Sequence, residues 1–387
     1  MFDGVLSVQA KLLTPIAQLG EDGLKTRTFI IEDNDATVFV DVPIFSANGV
    51  GGMLRRAATY LLFTEAIKKG YLAKLSDSGN NGKNPLESND LLKLFFLYTV
   101  GGGSVMTFGK EQDGKTLSDY GVYMQMKEVA DANPFVSLFG LTLRIPSKLI
   151  ITDLLPVDLV RNESNIQAIL EKAKALADRN KEERKHNWIP AYVTDYANKE
   201  RIVVVDDVIK NSVFAKLFLT DKVKEEWVKF AEEFSISQKG KSDSEKEKKQ
   251  TIQNIQDMPY IPAGAVLRGE ISCKDPLTPV EYGMLLRSLE VLARQGITDM
   301  KGYTHRLLFG SFGKRGFGRV RLSIQRNGMN LLAVQESSNV FDVTTDIEVV
   351  DTEDLEWEAL EAFDEWLENM SFEAFTIPLK YTKVVKR

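Results

Sequence analysis

Three stretches of the sequence combine residue types suited to chemistry on phosphate-bearing molecules. In Val42-Pro43-Ile44-Phe45-Ser46-Ala47-Asn48-Gly49-Val50-Gly51-Gly52-Met53-Leu54-Arg55-Arg56, an extended segment runs into a glycine-rich turn and then into a helical pattern. Free backbone N–H groups and the positive end of a helix dipole converge at such a junction, which stabilises an anion, most naturally a phosphate. Arg55 and Arg56, read in the first helical turn, oppose that dipole unless an anion accompanies them. The stretch lacks the Gly-Lys-Ser/Thr ending of a P-loop, and the competing reading is a packing turn with solvent-facing arginines. In Leu308–Val320 (LFGSFGKRGFGRV), glycines allow the backbone to approach a phosphodiester chain, Lys314, Arg315 and Arg319 supply charge, and Phe312 or Phe317 offers a stacking face. The glycines precede a strand pattern rather than a helix, which argues against a dinucleotide cofactor; the competing reading is an ordinary hairpin loop. The third stretch is Asn133-Pro134-Phe135-Val136-Ser137-Leu138-Phe139-Gly140, followed by Ser147-Lys148-Leu149-Ile150-Ile151-Thr152-Asp153.

The elements that must position these residues follow from periodicity. Gly4–Leu13 alternates apolar and polar residues, the mark of a strand with one buried face. After a loop at Gly20–Lys25, Thr28–Ile31 and Thr37–Val42 read as a hairpin turning at Asp33-Asn34-Asp35. Helical spacing over Gly52–Lys68 ends at Gly70. Residues 76–137, with Ser/Asn/Gly-rich connectors and a Gly101-Gly102-Gly103 break, read as an insertion carrying one or two helices. Phe139–Leu155 is strand-like. Then come a charged helix over Ile166–Arg184, a β-branched strand over Ile202–Ile209 and a polar segment over Ser235–Gln256 of the composition found in mobile chain. Ala263–Cys273 reads as a strand, Pro279–Ala293 as a helix ended by Gly296, and Phe317–Gln325 as a last strand. The core order strand, helix, strand, strand, helix, strand predicts an α+β chain with the ferredoxin-like βαββαβ arrangement and long insertions.

Composition bounds the possibilities. The 387 residues, 43% hydrophobic and 27% charged, suit a globular chain with a sizeable core. No apolar run approaches the ~20 residues of a membrane span, one cysteine excludes an internal disulfide, and two histidines with one cysteine are too few soft ligands to suggest a zinc site. A cytoplasmic protein without membrane contact or cofactor is expected. The net charge of −6 is unevenly placed: residues 351–368 hold nine acids and no base, and setting those nine aside leaves +3. Lys301–Arg326 holds seven basic residues and no acid. The acidic stretch, with Leu355, Trp357, Leu360, Phe363, Trp366 and Leu367, reads as a helix with more aromatics than a solvated helix needs, suited to docking on a protein partner.

The order of these segments resembles the RAMP superfamily of CRISPR-associated proteins, in particular the backbone subunit of the seventh Cas family, of a type IV kind. The likeness spans about residues 4–326. It implies an RRM-like palm formed by residues 1–75, 138–159 and 259–330, a helical finger at 76–137, a thumb β-hairpin within 160–258, and a C-terminal extension at 331–387. It also implies crRNA, target nucleic acid paired to that guide, further copies of the chain and other Cas subunits as partners. Asn48, Gly49, Gly51, Arg55 and Arg56 would lie along the RNA backbone together with Lys314, Arg315 and Arg319, and recognition would run through phosphate and sugar. In type III relatives an aspartate in the loop after the first strand cleaves target RNA. Asp22, in Gly20-Glu21-Asp22-Gly23, occupies that region, and the alternative for it is an exposed turn. His186 and His305 leave open an RNA-processing endonuclease of the same superfamily, with His305 as general base.

Overall fold

Leu6, Val8, Ala10 and Leu12 are buried while Ser7 and Lys11 are exposed, so strand β1 (Leu6–Leu12) presents one face to a core and one to solvent, as its alternation predicts. The computed structural model describes residues 1–20, 23–33, 36–75, 89–101, 118–141, 145–156, 187–188, 194–197, 257–261, 263–298, 304–310, 317–334, 347–348 and 354–382. After β1 come two hairpins, β2 (Leu19–Gly20) with β3 (Gly23–Leu24) and β4 (Thr26–Asp33) with β5 (Ala36–Pro43). The helices that follow among the described residues are α1 (Ala47–Lys68), α2 (Tyr71–Lys74), α3 (Asp90–Val100), α4 (Asp119–Ala132) and α5 (Pro134–Phe139).

The chain then returns to strands with β6 (Leu149–Ile151), β7 (Leu155–Pro156), β8 (Asn187–Trp188), β9 (Thr194–Ala197), β10 (Asp257–Tyr260) and β11 (Val266–Cys273). Helix α6 (Pro279–Arg294) leads into β12 (Gly296–Thr298), β13 (Thr304–Arg306), β14 (Val320–Arg326), β15 (Met329–Val334) and β16 (Ile347–Glu348). Helices α7 (Asp354–Asn369) and α8 (Phe372–Thr376) and a 3₁₀ turn at Ile377–Tyr381 complete the description.

The architecture is α+β. Its principal sheet has the order β16-β15-β14-β1-β11-β6, with β7 also paired to β11, and every pairing in it is antiparallel. Helices α1 and α6 pack against each other and share one hydrophobic core with the sheet's buried face. In α6, Thr278 and Glu281 form a reciprocal capping box, and Gln295 in the left-handed region (φ 47) stops the helix just before Gly296. Helix α3 is buried along almost its whole length, Leu91 to Thr99, because apolar residues occur all round it and its one buried cation, Lys93, pairs with Asp90 (3.0 Å).

Four expectations are corrected. Helix α1 begins at Ala47, not Gly52, because the Ser46 side chain caps it and the glycines are taken into its first two turns. Phe139–Leu155 is not continuous strand: Pro at the first position and Asn133 as cap start a helix that reaches Phe139, and only Leu149–Ile151 and Leu155–Pro156 are extended. The Gly20–Lys25 loop contains the β2–β3 hairpin, and the last core strand starts at Val320 because Gly318 sits at φ 89. The expected helix at 166–184, strand at 202–209 and polar segment at 235–256 lie outside the described residues.

Candidate nucleic-acid interface

The three chemistry-bearing stretches meet beyond the C-terminal end of β1. Leu13 and Thr14 donate backbone N–H bonds to the Arg319 carbonyl (2.8 and 3.2 Å), Thr14 Oγ1 accepts from the Arg319 N–H (2.9 Å), and the Gly318 N–H reaches the Pro15 carbonyl (2.9 Å). The Phe309 N–H closes the loop stem onto the Gly318 carbonyl (2.9 Å). Gly310 and Gly318 hold φ of 77° and 89°, and a side chain at either would strike the Ala17 or Phe309 carbonyl. Gly310 and Gly318 therefore set a tight stem against residues 13–17. Lys314 and Arg315 belong to the tip, 311–316, outside the described residues.

Next along the chain, Gln18 ties this stem to α1. Its Nε2 donates to Ser46 Oγ (2.8 Å), and its Oε1 accepts from the Ser46 N–H (2.6 Å). Ser46 Oγ in turn accepts from the Gly49 N–H (3.2 Å). The ring of Phe45, just ahead of the helix, lies 5.3 Å from that of Phe309. Asp153, from the third stretch, completes the junction: Oδ1 accepts from the Ala47 N–H (2.7 Å), and Oδ2 accepts from Arg27 Nε (2.8 Å) and Nη2. The protein's own carboxylate thus stands at the helix N-terminus where a phosphate was expected, and neutralises part of the dipole there. Arg27 remains well exposed (61%) beside the nearly buried Asp153 (9%).

The sequence-predicted residues divide accordingly. Asn48 is exposed at the second position of α1. Gly49 and Gly51 are close-approach glycines: a Cβ at Gly49 would lie 2.8 Å from the Gln18 amide and 3.0 Å from the Phe45 ring, and one at Gly51 would lie 3.3 Å from Ile151. Arg55 and Arg56 are not in the first turn. Starting the helix at Ala47 puts them about 12 Å along it at 1.5 Å per residue.

Arg55 turns inward. Its Nη2 donates to the Phe139 carbonyl and to that of Gly140 (2.9 Å), and its guanidinium lies over the rings of Phe135 and Phe139 (5.4 and 5.9 Å). Burial pushes its pKa down to about 10, still well above neutrality. Phe317 is buried, edge-on to Tyr260 at 5.6 Å, and Arg319 is half-buried with its backbone held by the loop stem. Asp22 and His186 lie outside the described residues; β2 and β3 pair Gly20 with Gly23 on either side of residues 21–22, and His305 falls in β13.

Sequence reasoning missed Thr14, Gln18 and Arg27. Polar residues in short connectors give no local signal of the distant partner they will meet. Lys148 was quoted for its segment alone, yet it anchors that segment to α6 through Glu281 (2.7 and 3.0 Å). Burial raises the Glu281 pKa, but bonds from Lys148, Ser137 and the Thr278 N–H outweigh it and leave the carboxyl below its usual range. Among the described residues no group of three or more His, Cys, Asp and Glu gathers as a metal site, and no helix is long and apolar enough to cross a membrane.

No family model matches the sequence, and no curated protein matches it. Among the solved structures similar to this chain are the following two. One, described as a Type IV-B CRISPR complex, shares 12% identity with a TM-score of 0.39 over 84% of this chain and 92% of that one. The other, oligomeric Cmr4 from Pyrococcus furiosus, shares 12% identity with a TM-score of 0.26 over 84% of this chain and 99% of that one.

Proposed function

We propose that the chain is a crRNA-binding backbone subunit of a CRISPR effector complex, built on a ferredoxin-like palm, that lines up with further copies along the guide and presents it for pairing. The observation that carries this reading is the convergence, at one end of β1, of the α1 N-terminus, the Asp153 segment and the stem of the Lys/Arg-rich glycine loop. The stem pinned at Thr14, Pro15 and Gly318 holds Arg319 at a fixed place relative to the exposed Asn48 and Arg27 at one end of the sheet. That arrangement suits a phosphodiester chain of any sequence. The palm is supported by the order β14-β1-β11-β6: in chain order of the core strands this is fourth, first, third, second, with α1 following β1 and α6 following β11. Within that palm, α3, α4 and most of α5 belong to the finger at 76–137, 160–258 contains the thumb, and α7, α8 and the final turn belong to the C-terminal extension.

On this reading the chain holds RNA and does not cut it, and its other partners are the target strand and further Cas subunits. The RNA contacts are Asn48 and the loop cations Lys314, Arg315 and Arg319. Arg55 acts from inside, keeping α5 and its Gly140 turn seated under α1. The test is to purify the chain alone and together with the products of neighbouring genes, record the ratio of absorbance at 260 and 280 nm, and sequence any bound RNA. RNAs sharing a common repeat-derived tag are expected. A nucleic-acid-free monomer from both preparations would overturn the assignment. If tagged RNA is found, Asp22→Ala is expected to leave target RNA as intact as the unaltered chain does.

A further inference from the structure

The acidic helix is absorbed by none of the above. Helix α7 packs on α6 through Gly283 and Ala359, through Tyr282 Oη donating to Glu356 (2.7 Å), and through Arg287 on Asp364. Its opposite side carries Trp357, 57% exposed, followed by Glu358, Glu361, Glu365 and Glu368, all exposed; Lys69 Nζ donates to the Glu368 backbone carbonyl, but among the described residues none of the four carboxylates forms an ion pair. Four like charges along one helix face repel one another by a few tenths of a kcal/mol per pair, a cost that a cationic surface would offset.

Such a surface exists on the far side of the molecule. The open face of the principal sheet is formed by alternate residues of β1, β11, β14 and β6. Lys11 and Arg268 are exposed there, the half-buried Arg321 lies directly across from Lys11, and Arg268 Nε donates to Gln9 (3.0 Å). At its other end the same face shows Ile150 and, one residue ahead of β1, Val5, exposed by 44% and 48%. Glu270, at the level of Ser7, is the single acid among the described residues of those four strands on this face.

We infer that the acidic face of α7 in one copy docks on the open sheet face of the next. The two surfaces match in order and length. Along α7, Glu365 and Glu368 follow Trp357 by about 12 and 16 Å at 1.5 Å per residue. Along the sheet, the levels of Arg268 and Lys11 follow that of Val5 by about 13 and 20 Å at 3.3 Å per residue, a difference that a lysine side chain spans. Trp357 then covers Ile150 and Val5, an aromatic anchor at an apolar spot, while the carboxylates reach the cations. Helices α1, α6 and α7 all lie on the sheet's buried side, where Arg326 of β14 reaches Glu356 of α7 (2.7 Å), and the open face is on the other side, so a chain cannot join its own two surfaces. The contact is heterologous and repeats in an open chain of copies. This deepens the self-association proposed above and rests on that reading.

The test uses the full chain, freed of nucleic acid, in sedimentation velocity at low and moderate salt. Lys11→Glu with Arg268→Glu, and separately Glu365→Lys with Glu368→Lys, are each expected to weaken association on the order of tenfold. Combining all four changes in one chain, or mixing the two double variants, restores it, because each acidic face again meets a basic one. Circular dichroism melts establish that each variant is folded. Unchanged assembly in both folded double variants, or no restoration by the swap, overturns the inference. Anisotropy with an RNA too short for two copies separates the two readings. If the sheet variant alone loses that affinity, the open face is an RNA surface and the inference fails while the functional reading stands. If the unaltered chain binds no RNA yet the swap still restores assembly, the functional reading fails and the docking contact is supported.

Discussion

At Arg55 the guanidinium serves the interior: it satisfies the Phe139 and Gly140 carbonyls at the end of α5 and lies over two phenylalanine rings. Arg55→Ala is expected to cost about 2 kcal/mol of stability, because two carbonyls lose a charged donor and two rings lose a cation. The measurement is urea unfolding, alongside RNA affinity per folded molecule, which should stay within about threefold of the unaltered chain. Glu281 makes a prediction in pH. Its folded pKa lies below the ordinary 4.5, so the unfolded chain takes up this proton first as pH falls. The stabilisation from Lys148 and the Thr278 cap is therefore full above about 4.5 and is lost as pH drops through the folded value. Glu281→Gln should lower stability at neutral pH and flatten its acid dependence in that window.

Elements are joined here by a few close approaches. Helix α7 lies so near α6 that a Cβ at Gly283 would collide with the Ala359 carbonyl, and Phe363 fills the space beside it. Gly283→Ala is expected to cost about 1–3 kcal/mol and to loosen α7 from α6. Trp357, on the far side of α7, should keep its own emission, whereas Trp366, half-buried and stacked on Phe363 (6.3 Å), should become more exposed to quencher. Repeating the comparison in chains that also carry Trp366→Phe isolates that change, because Trp188, Trp227 and Trp357 emit in both backgrounds. At the other end of the fold, the Gln18–Ser46–Asp153–Arg27 network locks the β4–β5 hairpin, the α1 start and the loop after β6 to one another, so that the cap of one helix sets the angle of three elements.

For the molecule as a whole, the distribution of charge matters more than its sum. A chain of net charge −6 still concentrates seven cations in the sequence between Lys301 and Arg326, a stretch in which Gly318 and Arg319 are fixed to residues 13–15, and it carries seven acids on α7, across the core. Lys314→Glu with Arg315→Glu is expected to weaken binding to any single-stranded RNA by an order of magnitude or more. The dependence of log affinity on log salt should become shallower by about 1 to 2, since fewer phosphates are neutralised. Titrations at several salt concentrations measure both. An unchanged slope would move the RNA path away from this loop.

What the sequence determined by itself was local. The alternation of Leu6 to Leu12, the hairpin at residues 33–36 and the helix over Pro279–Ala293 are short-range patterns whose physics acts within a few residues, and they emerge in the structure nearly where periodicity puts them. The charged character of the Lys301–Arg326 stretch and of α7 was likewise legible, because composition is counted without knowing contacts. Which groups would meet was decided by the tertiary structure alone. Arg55 finds its carbonyls 84 and 85 residues away, and Asp153 reaches the Ala47 N–H across 106 residues. The same glycine-rich helix start reads as a phosphate cradle in isolation and as a protein-capped junction in the fold. A helix dipole attracts whichever anion is brought near it, and only the packing of β6 beside α1 brings the Asp153 carboxylate there.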